Sequence, residues 1–343
     1  MAEMTPMMKQ YLETKKEYPD CILFYRLGDF YEMFFEDALT ASKELEITLT
    51  GKNCGLKERA PMCGVPFHAV EGYLNKLVAK GYKVAICEQV EDPKMAKGLV
   101  KREVVRVVTP GTNLDTQALD ETKNNYIMCI VYIADRYGVS IADVTTGDYF
   151  VTELDTERKL LDEIHKFTPS EIICNEAFYM TGMDFEDLKH RLNIAIYSLD
   201  SWYFSDETAK NTLLSHFKVA DVQGLGLEDY GSGTVAAGAL LKYLYETQKN
   251  SLGNMTSLQL YSTGKYMIID SSTRRNLELV ETLREKQKRG SLLWVLDKTK
   301  TAMGARMIRS FVEQPLIEKA EIERRLDAIE VLKEHAMTRE EIR

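Results

Sequence analysis

Long apolar segments are absent from this sequence of 343 residues, and no run approaches the roughly 18–20 residues that a membrane-spanning helix needs. Residues 1–16 carry no signal-peptide pattern. Paired Cys-x-x-Cys spacings are also missing, which argues against a zinc site or a disulfide framework. We therefore expect a cytoplasmic protein with reduced, mostly buried cysteines. The six cysteines are Cys21, Cys54, Cys63, Cys87, Cys129 and Cys174.

A phosphate-binding loop of the form G-x-x-x-x-G-K-[ST] is missing as well. The two Gly-Lys pairs, at residues 51–52 and 264–265, have neither the upstream glycine nor the following serine or threonine. His68 lies in a proline-rich loop without a nucleophile or metal-ligand companion, so we interpret it as a loop or cap residue and not as a catalytic base. We therefore expect no catalytic residues, metal site or cofactor within these 343 residues.

The net charge of −9 has the wrong sign for a nucleic-acid-binding protein if it is taken over the whole chain. Between residues 76 and 107, however, eight basic residues outnumber four acidic ones. As phosphate contacts they would hold a duplex without reading its sequence, and a solvated basic surface is the alternative. The basic residues are Lys76, Lys80, Lys83, Lys94, Lys97, Lys101, Arg102 and Arg106, and the acidic ones are Glu88, Glu91, Asp92 and Glu103.

An aromatic and acidic cluster, residues 28–37 (GDFYEMFFED), is the most informative part of the sequence. The apolar run Cys21–Leu27 before it predicts a short buried strand. Asp29 is a good helix N-cap and Glu32 stands where a capping-box partner would, so the spacing predicts a helix that begins at Asp29. Phe30 would then either pack as a core residue or project with Glu32 from the first helical turn toward a ligand.

Residues 24–32 (FYRLGDFYE) resemble the start of the mismatch-recognition domain in the MutS family of bacterial DNA mismatch repair proteins. Three further segments are similar to the family in order and spacing. They are residues 60–70 (APMCGVPFHAV), 84–89 (VAICEQ) and 104–112 (VVRVVTPGT). Four ordered matches are far more specific than one short motif.

The resemblance implies that Phe30 wedges into a duplex and stacks on a mispaired base, while Glu32 hydrogen-bonds that base. Wedging from the minor groove unstacks a base step and kinks the duplex, and a mispaired step deforms more easily than a matched one. Glu32, ionised or protonated, would bond an exposed base edge in the kinked complex and would repel a straight matched duplex. Further candidate DNA contacts are Tyr31, Lys52, Asn53, Met62, Lys76, Arg102 and Arg106.

With 45% hydrophobic and 28% charged residues, the composition is that of a globular protein, and the length predicts two or three domains. We expect a mixed α/β fold. The resemblance implies a mismatch-recognition domain at residues 1–115, a linker at 116–122, a ribonuclease-H-like connector at 123–250 and the start of a helical lever and core at 251–343.

An enzyme hypothesis rests on Asp135, Asp143 and Asp148, which would form a two-metal nuclease site if the fold brought them together. Asp135 and Asp148 stand in predicted turns, where aspartate is favoured for backbone reasons, and this weighs against the hypothesis.

The resemblance also implies that these residues are the N-terminal part of a longer dimeric ATPase that uses ATP and Mg²⁺. Its expected partners are double-stranded DNA with a mismatch or a small insertion or deletion loop, MutL, the sliding clamp and a second copy of itself. Two alternatives stay open, which are a divergent relative that binds branched or recombination DNA and a module that binds only protein partners.

Overall fold

A computed structural model describes residues 4–55, 57–91, 98–115 and 119–342. Lys94 and Lys97 of the basic segment, and residues 116–118 of the predicted linker, lie outside the described residues. Within the described part of the chain, no helix is both long and apolar enough to cross a membrane.

The first sheet contains six strands, in the order β3-β4-β2-β1-β5-β6 once they are numbered along the chain. The parallel pair is β1 with β5, and the other neighbouring strands are antiparallel. The strands are β1 (Cys21–Leu27), β2 (Phe30–Phe34), β3 (Thr50–Lys52), β4 (Ala60–Pro66), β5 (Lys83–Gln89) and β6 (Arg102–Val108).

Helices cover both faces of the first sheet. They are α1 (Pro6–Glu17), α2 (Phe35–Leu45) and α3 (Val70–Ala79). Met8 and Tyr11 of α1 pack on one face against Leu23 and Tyr25. On the other face α2 and α3 pack against a core that includes Phe24. Alternate residues of β1 and β2 therefore enter two different cores.

The predicted helix start at Asp29 is wrong. The chain makes a two-residue turn at Gly28 and Asp29 and returns as strand β2, and α2 begins only at Phe35. Gly28 has φ +60°, the conformation that a type II′ hairpin turn requires at its first central position. Pairing of β2 with both β1 and β4 therefore prevails over the local capping signal.

The second sheet has the order β11-β10-β7-β8-β9-β12. Three antiparallel strands lie beside two parallel ones, which is the ribonuclease-H-like arrangement expected from the sequence. Strand β12 extends this sheet past the predicted boundary at residue 250. The strands are β7 (Ile127–Ile133), β8 (Arg136–Asp143), β9 (Asp148–Leu154), β10 (Glu171–Cys174), β11 (Ala195–Ser198) and β12 (Gln259–Leu260).

Five helices accompany the second sheet, and the longest of them is Gly231–Gln248. It is largely buried and packs on the core formed by residues such as Ile127, Val131 and Tyr149. The helices are α4 (Glu157–Phe167), α5 (Glu176–Tyr179), α6 (Phe185–Leu192), α7 (Asp206–Phe217) and α8 (Gly231–Gln248).

The C-terminal part is helical, as expected, with a small core of Leu279, Leu293 and Val312. Residues 277–291 form turns and bends between two of the helices. The helices are α9 (Ser271–Asn276), α10 (Leu292–Leu296), α11 (Ala302–Glu313), α12 (Lys319–Glu334) and α13 (Ala336–Ile342).

A buried carboxylate joins the two sheets. Glu171 on β10 is fully buried and accepts hydrogen bonds from the Thr109 hydroxyl at 2.5 Å, the Gly111 N–H at 2.8 Å and the Tyr243 hydroxyl at 2.6 Å. Thr109 and Gly111 directly follow β6, so one side chain fixes the end of the first sheet against the second.

We expect Glu171→Gln to lower the free energy of unfolding by about 1–3 kcal/mol, because the new amide N–H group faces donors and leaves a buried polar group unsatisfied. Urea unfolding followed by circular dichroism measures the effect. Glu330→Gln, on an exposed position of α12, is the matched control. Superimposable unfolding curves for Glu171→Gln and the wild type would contradict this assignment.

Candidate nucleic-acid interface

The turn between β1 and β2 places Phe30 at the end of β2, an inner strand of the first sheet. Leu27 and Phe30 pair across the turn, so Phe30 is the first residue of the returning strand. Its side chain is 46% exposed, although large apolar residues elsewhere in this sheet are mostly buried. An exposed ring at the end of a rigid hairpin is available to stack on a flat ligand.

Successive residues of β2 point to opposite faces of the sheet, so neighbouring side chains have different surroundings. Phe30 and Glu32 point to one face of the sheet, and Tyr31 points to the other, where it is 5% exposed. Gly64 of β4 pairs with Glu32. A Cβ atom at Gly64 would lie 3.5 Å from Cγ of Glu32 and 3.8 Å from Cδ1 of Phe30. The glycine therefore keeps the space beside both side chains open.

An ion pair occupies the same face. The ammonium group of Lys52 on β3 lies 2.5 Å from Oε2 of Glu32. The side chains are only partly exposed, 32% for Lys52 and 16% for Glu32. Lys52 Nζ also lies 5.6 Å from the centre of the Phe34 ring. A carboxylate and an ammonium group thus stand together beside the exposed Phe30 ring, and the two predicted contacts form one unit.

Tyr31 packs beneath the hairpin, on the face of the sheet opposite Phe30. Its hydroxyl donates a hydrogen bond to Glu88 of β5, and its ring packs against Phe24 at a centroid distance of 6.0 Å. Burial raises the pKa of Tyr31, and the Glu88 carboxylate raises it further, so the phenol stays protonated. Its inward orientation makes Tyr31 part of the core beneath the site.

Three other predicted contacts lie on different elements of the first domain. Met62 of β4 is half-buried and pairs with Phe34, so it belongs to the protein core beside the site. Asn53 is exposed just after β3, where its side-chain oxygen accepts the Gly55 N–H at 3.1 Å. Lys76 is exposed on α3. The structure therefore groups Asn53 with Lys52 and leaves Lys76 on a separate element.

Arg102 and Arg106 on β6 are both half-buried, but they differ in their hydrogen-bond partners. The Arg102 guanidinium donates to the Arg26 carbonyl at 2.8 Å and to the Val100 carbonyl at 2.9 Å. Burial lowers the pKa of Arg106, while the carboxylates of Glu71 and Asp115 act in the opposite direction. Arg102 therefore contributes to the fold, whereas the buried Nε of Arg106 has no hydrogen-bond partner among the described residues.

Comparison with known proteins gives matches along nearly the whole chain. MutS domain I matches residues 5–117, MutS domain II matches residues 125–256 and MutS domain III matches residues 272–343. The chain belongs to the MutS family. The family expected from four short segments of the first domain is thereby confirmed.

Curated MutS relatives are similar over the full length of this chain. The DNA mismatch repair protein MutS of Lachnoclostridium phytofermentans is 68% identical over 343 residues, which cover 100% of this chain and 37% of the relative. That of Ruminiclostridium cellulolyticum is 54% identical, with 100% of this chain and 39% of the relative covered. That of Clostridioides difficile is 50% identical, with 100% of this chain and 36% of the relative covered. The chain thus spans less than two fifths of the length of these relatives.

The three aspartates of the nuclease hypothesis do not converge in this MutS-family chain. Asp143 and Asp148 pair across the β8–β9 hairpin, whereas Asp135 lies before the opposite end of β8. Asp143 is buried and accepts N–H groups from Asn125 at 3.0 Å and Thr145 at 2.8 Å. Among the described residues, no group of three or more His, Cys, Asp or Glu side chains is placed to hold a metal ion.

The other lysines of the basic segment that the structure describes are also paired within the protein. Lys83 is 7% exposed, lies 2.9 Å from Asp20 and has its ammonium group 4.1 Å from the centre of the Tyr197 ring. Lys80 pairs with Glu44 at 2.8 Å. Lys83 thereby holds the first MutS domain against the second, which makes it a structural contact and not a candidate phosphate contact.

Sequence reasoning missed Phe67, Gly64 and Arg26. Phe67 is 40% exposed directly after β4, and the Arg26 guanidinium lies 3.9 Å from the centre of its ring. All three residues stand within two of the four segments that carry the MutS resemblance, residues 24–32 and 60–70. The proline-glycine pattern around Phe67 predicts a constrained loop, but only the pairing of β4 with β2 reveals that this loop meets the Phe30 hairpin.

Proposed function

We propose that this chain recognises mispaired or unpaired bases in double-stranded DNA, as the N-terminal part of a longer mismatch repair sensor. The observation that carries the proposal is the position of Phe30, exposed at the end of the β1–β2 hairpin on the same face as Glu32. Membership of the MutS family supports it, because the matched relatives are named DNA mismatch repair proteins.

The Phe30 ring inserts from the minor groove beside the mispaired base. Inserting an apolar side chain unstacks a base step and bends the duplex, which costs a few kcal/mol. Stacking on the ring returns about 1–3 kcal/mol and depends little on which base is present. A mispaired step has already lost part of its pairing energy, so the balance favours the mismatch.

The Glu32 carboxylate discriminates against matched DNA. In the kinked complex it accepts or shares a hydrogen bond with an exposed base edge. Against a straight duplex it finds no such donor and lies near phosphates of like charge. Lys52, at 2.5 Å, neutralises the carboxylate in the free protein and so reduces the long-range repulsion of DNA.

Phe30→Ala is expected to abolish the preference for a G·T heteroduplex over its matched homoduplex. The stacking that is lost corresponds to about 1–3 kcal/mol, and about 1.4 kcal/mol is tenfold in affinity. Fluorescence anisotropy at low salt, with labelled duplexes of identical length, measures both dissociation constants. Low salt is used because phosphate contacts weaken steeply as salt concentration rises.

Phe311→Ala is the matched control, since Phe311 is a similarly exposed phenylalanine on α11, at 37% against 46% for Phe30. It should leave the preference unchanged. A wild-type chain that binds both duplexes equally well would contradict the proposal for this chain. A Phe30→Ala variant that keeps the full preference would contradict the assignment of Phe30 as the wedge.

For the longer protein we propose a dimeric, cytoplasmic ATPase that uses ATP and Mg²⁺ and that acts with MutL and the sliding clamp. Family membership and the greater length of the matched relatives support this part of the proposal. Two recognition domains on one duplex would raise the apparent affinity, because the second contact becomes intramolecular.

A further inference from the structure

Both carbonyl groups of the hairpin turn are held by hydrogen bonds from outside the strand ladder. The Arg26 side chain donates from Nε to the Gly28 carbonyl at 2.5 Å. The Phe67 backbone N–H donates to the Asp29 carbonyl at 3.0 Å. The turn is therefore tied to β1 on one side and to the end of β4 on the other.

The Arg26 guanidinium also lies over two aromatic rings. Its central carbon is 3.9 Å from the centre of the Phe67 ring and 5.5 Å from that of Tyr31. Nη1 lies 3.7 Å from Oε1 of Glu88, the carboxylate that also accepts the Tyr31 hydroxyl. One side chain thus contacts the turn, the loop after β4, the ring beneath the hairpin and a carboxylate on β5.

We propose that Arg26 is a positioning residue for Phe30, which acts by fixing the turn through Gly28 and Phe67 and does not itself bind DNA. This inference rests on the proposed function. The Arg26 side chain points to the Tyr31 face of the sheet, opposite Phe30 and Glu32, because Arg26 pairs with Tyr31 across the hairpin. Only 17% of the side chain is exposed.

Fixing the turn before binding raises affinity for the deformed duplex. A loose turn must be ordered when Phe30 inserts, and this ordering opposes binding. Binding of matched DNA through phosphate contacts alone does not require the inserted ring, so it does not depend on the turn. A positioning role therefore changes the ratio of heteroduplex to homoduplex affinity, whereas a phosphate contact changes both affinities together.

Arg26→Lys separates these roles because it keeps the positive charge but loses the planar group that stacks on Phe67 and reaches the Gly28 carbonyl. We expect it to lower the heteroduplex preference about tenfold, the equivalent of about 1.4 kcal/mol, while homoduplex affinity and its salt dependence stay unchanged. Arg136→Lys, at a side chain that is 61% exposed on β8, is the matched control and should change neither.

Phe67→Ala provides a second variant that removes only a partly exposed ring. It should lower the heteroduplex preference as Arg26→Lys does. The double variant should have a preference no lower than that of either single variant. Phe67→Tyr, which keeps an aromatic ring, should retain the preference. Full preference in both Arg26→Lys and Phe67→Ala, beside its loss in Phe30→Ala, would overturn the positioning role and leave the proposed function standing. Full preference in Phe30→Ala as well would overturn the Phe30 wedge and the positioning role together.

Discussion

Gly238→Ala is expected to destabilise the second domain by about 3 kcal/mol or more, at or above the upper end of typical overpacking costs. Gly238 lies where α8 crosses α7. A Cβ atom there would lie 2.3 Å from Cα, 2.5 Å from Cβ and 2.5 Å from the carbonyl oxygen of Ala209. Two of these three atoms belong to the backbone, so the contact is relieved only if the two helices move apart.

Gly72→Ala is the matched control, because Gly72 is also a helical glycine but has no heavy atom within 4 Å of an added Cβ. It should stabilise α3 by about 0.5–1 kcal/mol through helix propensity. Urea unfolding of both variants, followed by circular dichroism, tests the opposite signs. Gly238→Ala with wild-type stability would contradict the close packing of α7 on α8.

The sequence predicts helices and strands well where a strong periodic pattern agrees with the start and stop signals at its two ends. Strand Cys21–Leu27 is an example. In helix Pro6–Glu17, Thr5 followed by proline is a start signal that can be seen in the sequence, and the Thr5 side chain caps the helix in the structure. At Gly28 and Asp29 the local signals conflict, since a glycine and an aspartate before an aromatic residue fit a hairpin turn as well as a helix N-cap. Pairing with β4, more than thirty residues later in the chain, decides between them.

The family resemblance groups Phe30 with Glu32 although the predicted helix is wrong. The strand that forms instead places both side chains on one face, because residues two apart share one face of a strand. In contrast, the sequence does not predict which basic side chains are available to contact DNA. Lys83 and Arg102 count as two positive charges in the sequence, yet Lys83 contacts Asp20 and Arg102 donates to backbone carbonyls. Long cationic side chains take their partners from the tertiary fold, and no local pattern encodes those partners.

Glu32→Gln is expected to raise affinity for matched DNA and so to reduce discrimination. Removing one like charge near the phosphates is worth about 1 kcal/mol or more, the interaction of two unit charges roughly 4 Å apart in water. The amide can still hydrogen-bond a base edge, so heteroduplex affinity should change less. Anisotropy titrations with the matched and G·T duplexes measure both changes, and equal changes for the two duplexes would refute a discriminating role.

The ion pair with Lys52 makes a sharper test possible. Lys52→Gln removes an attraction for phosphate and also uncovers the Glu32 charge, so it should weaken homoduplex binding more in the wild type than in the Glu32→Gln background. Coupled neighbours typically deviate from additivity by about 0.5–3 kcal/mol, whereas independent sites add within about 0.3–0.5 kcal/mol. Lys76→Gln, at an exposed lysine on α3, should be additive with Glu32→Gln. Additivity for Lys52 as well would mean that Lys52 acts on DNA independently and that the 2.5 Å ion pair has no influence on discrimination.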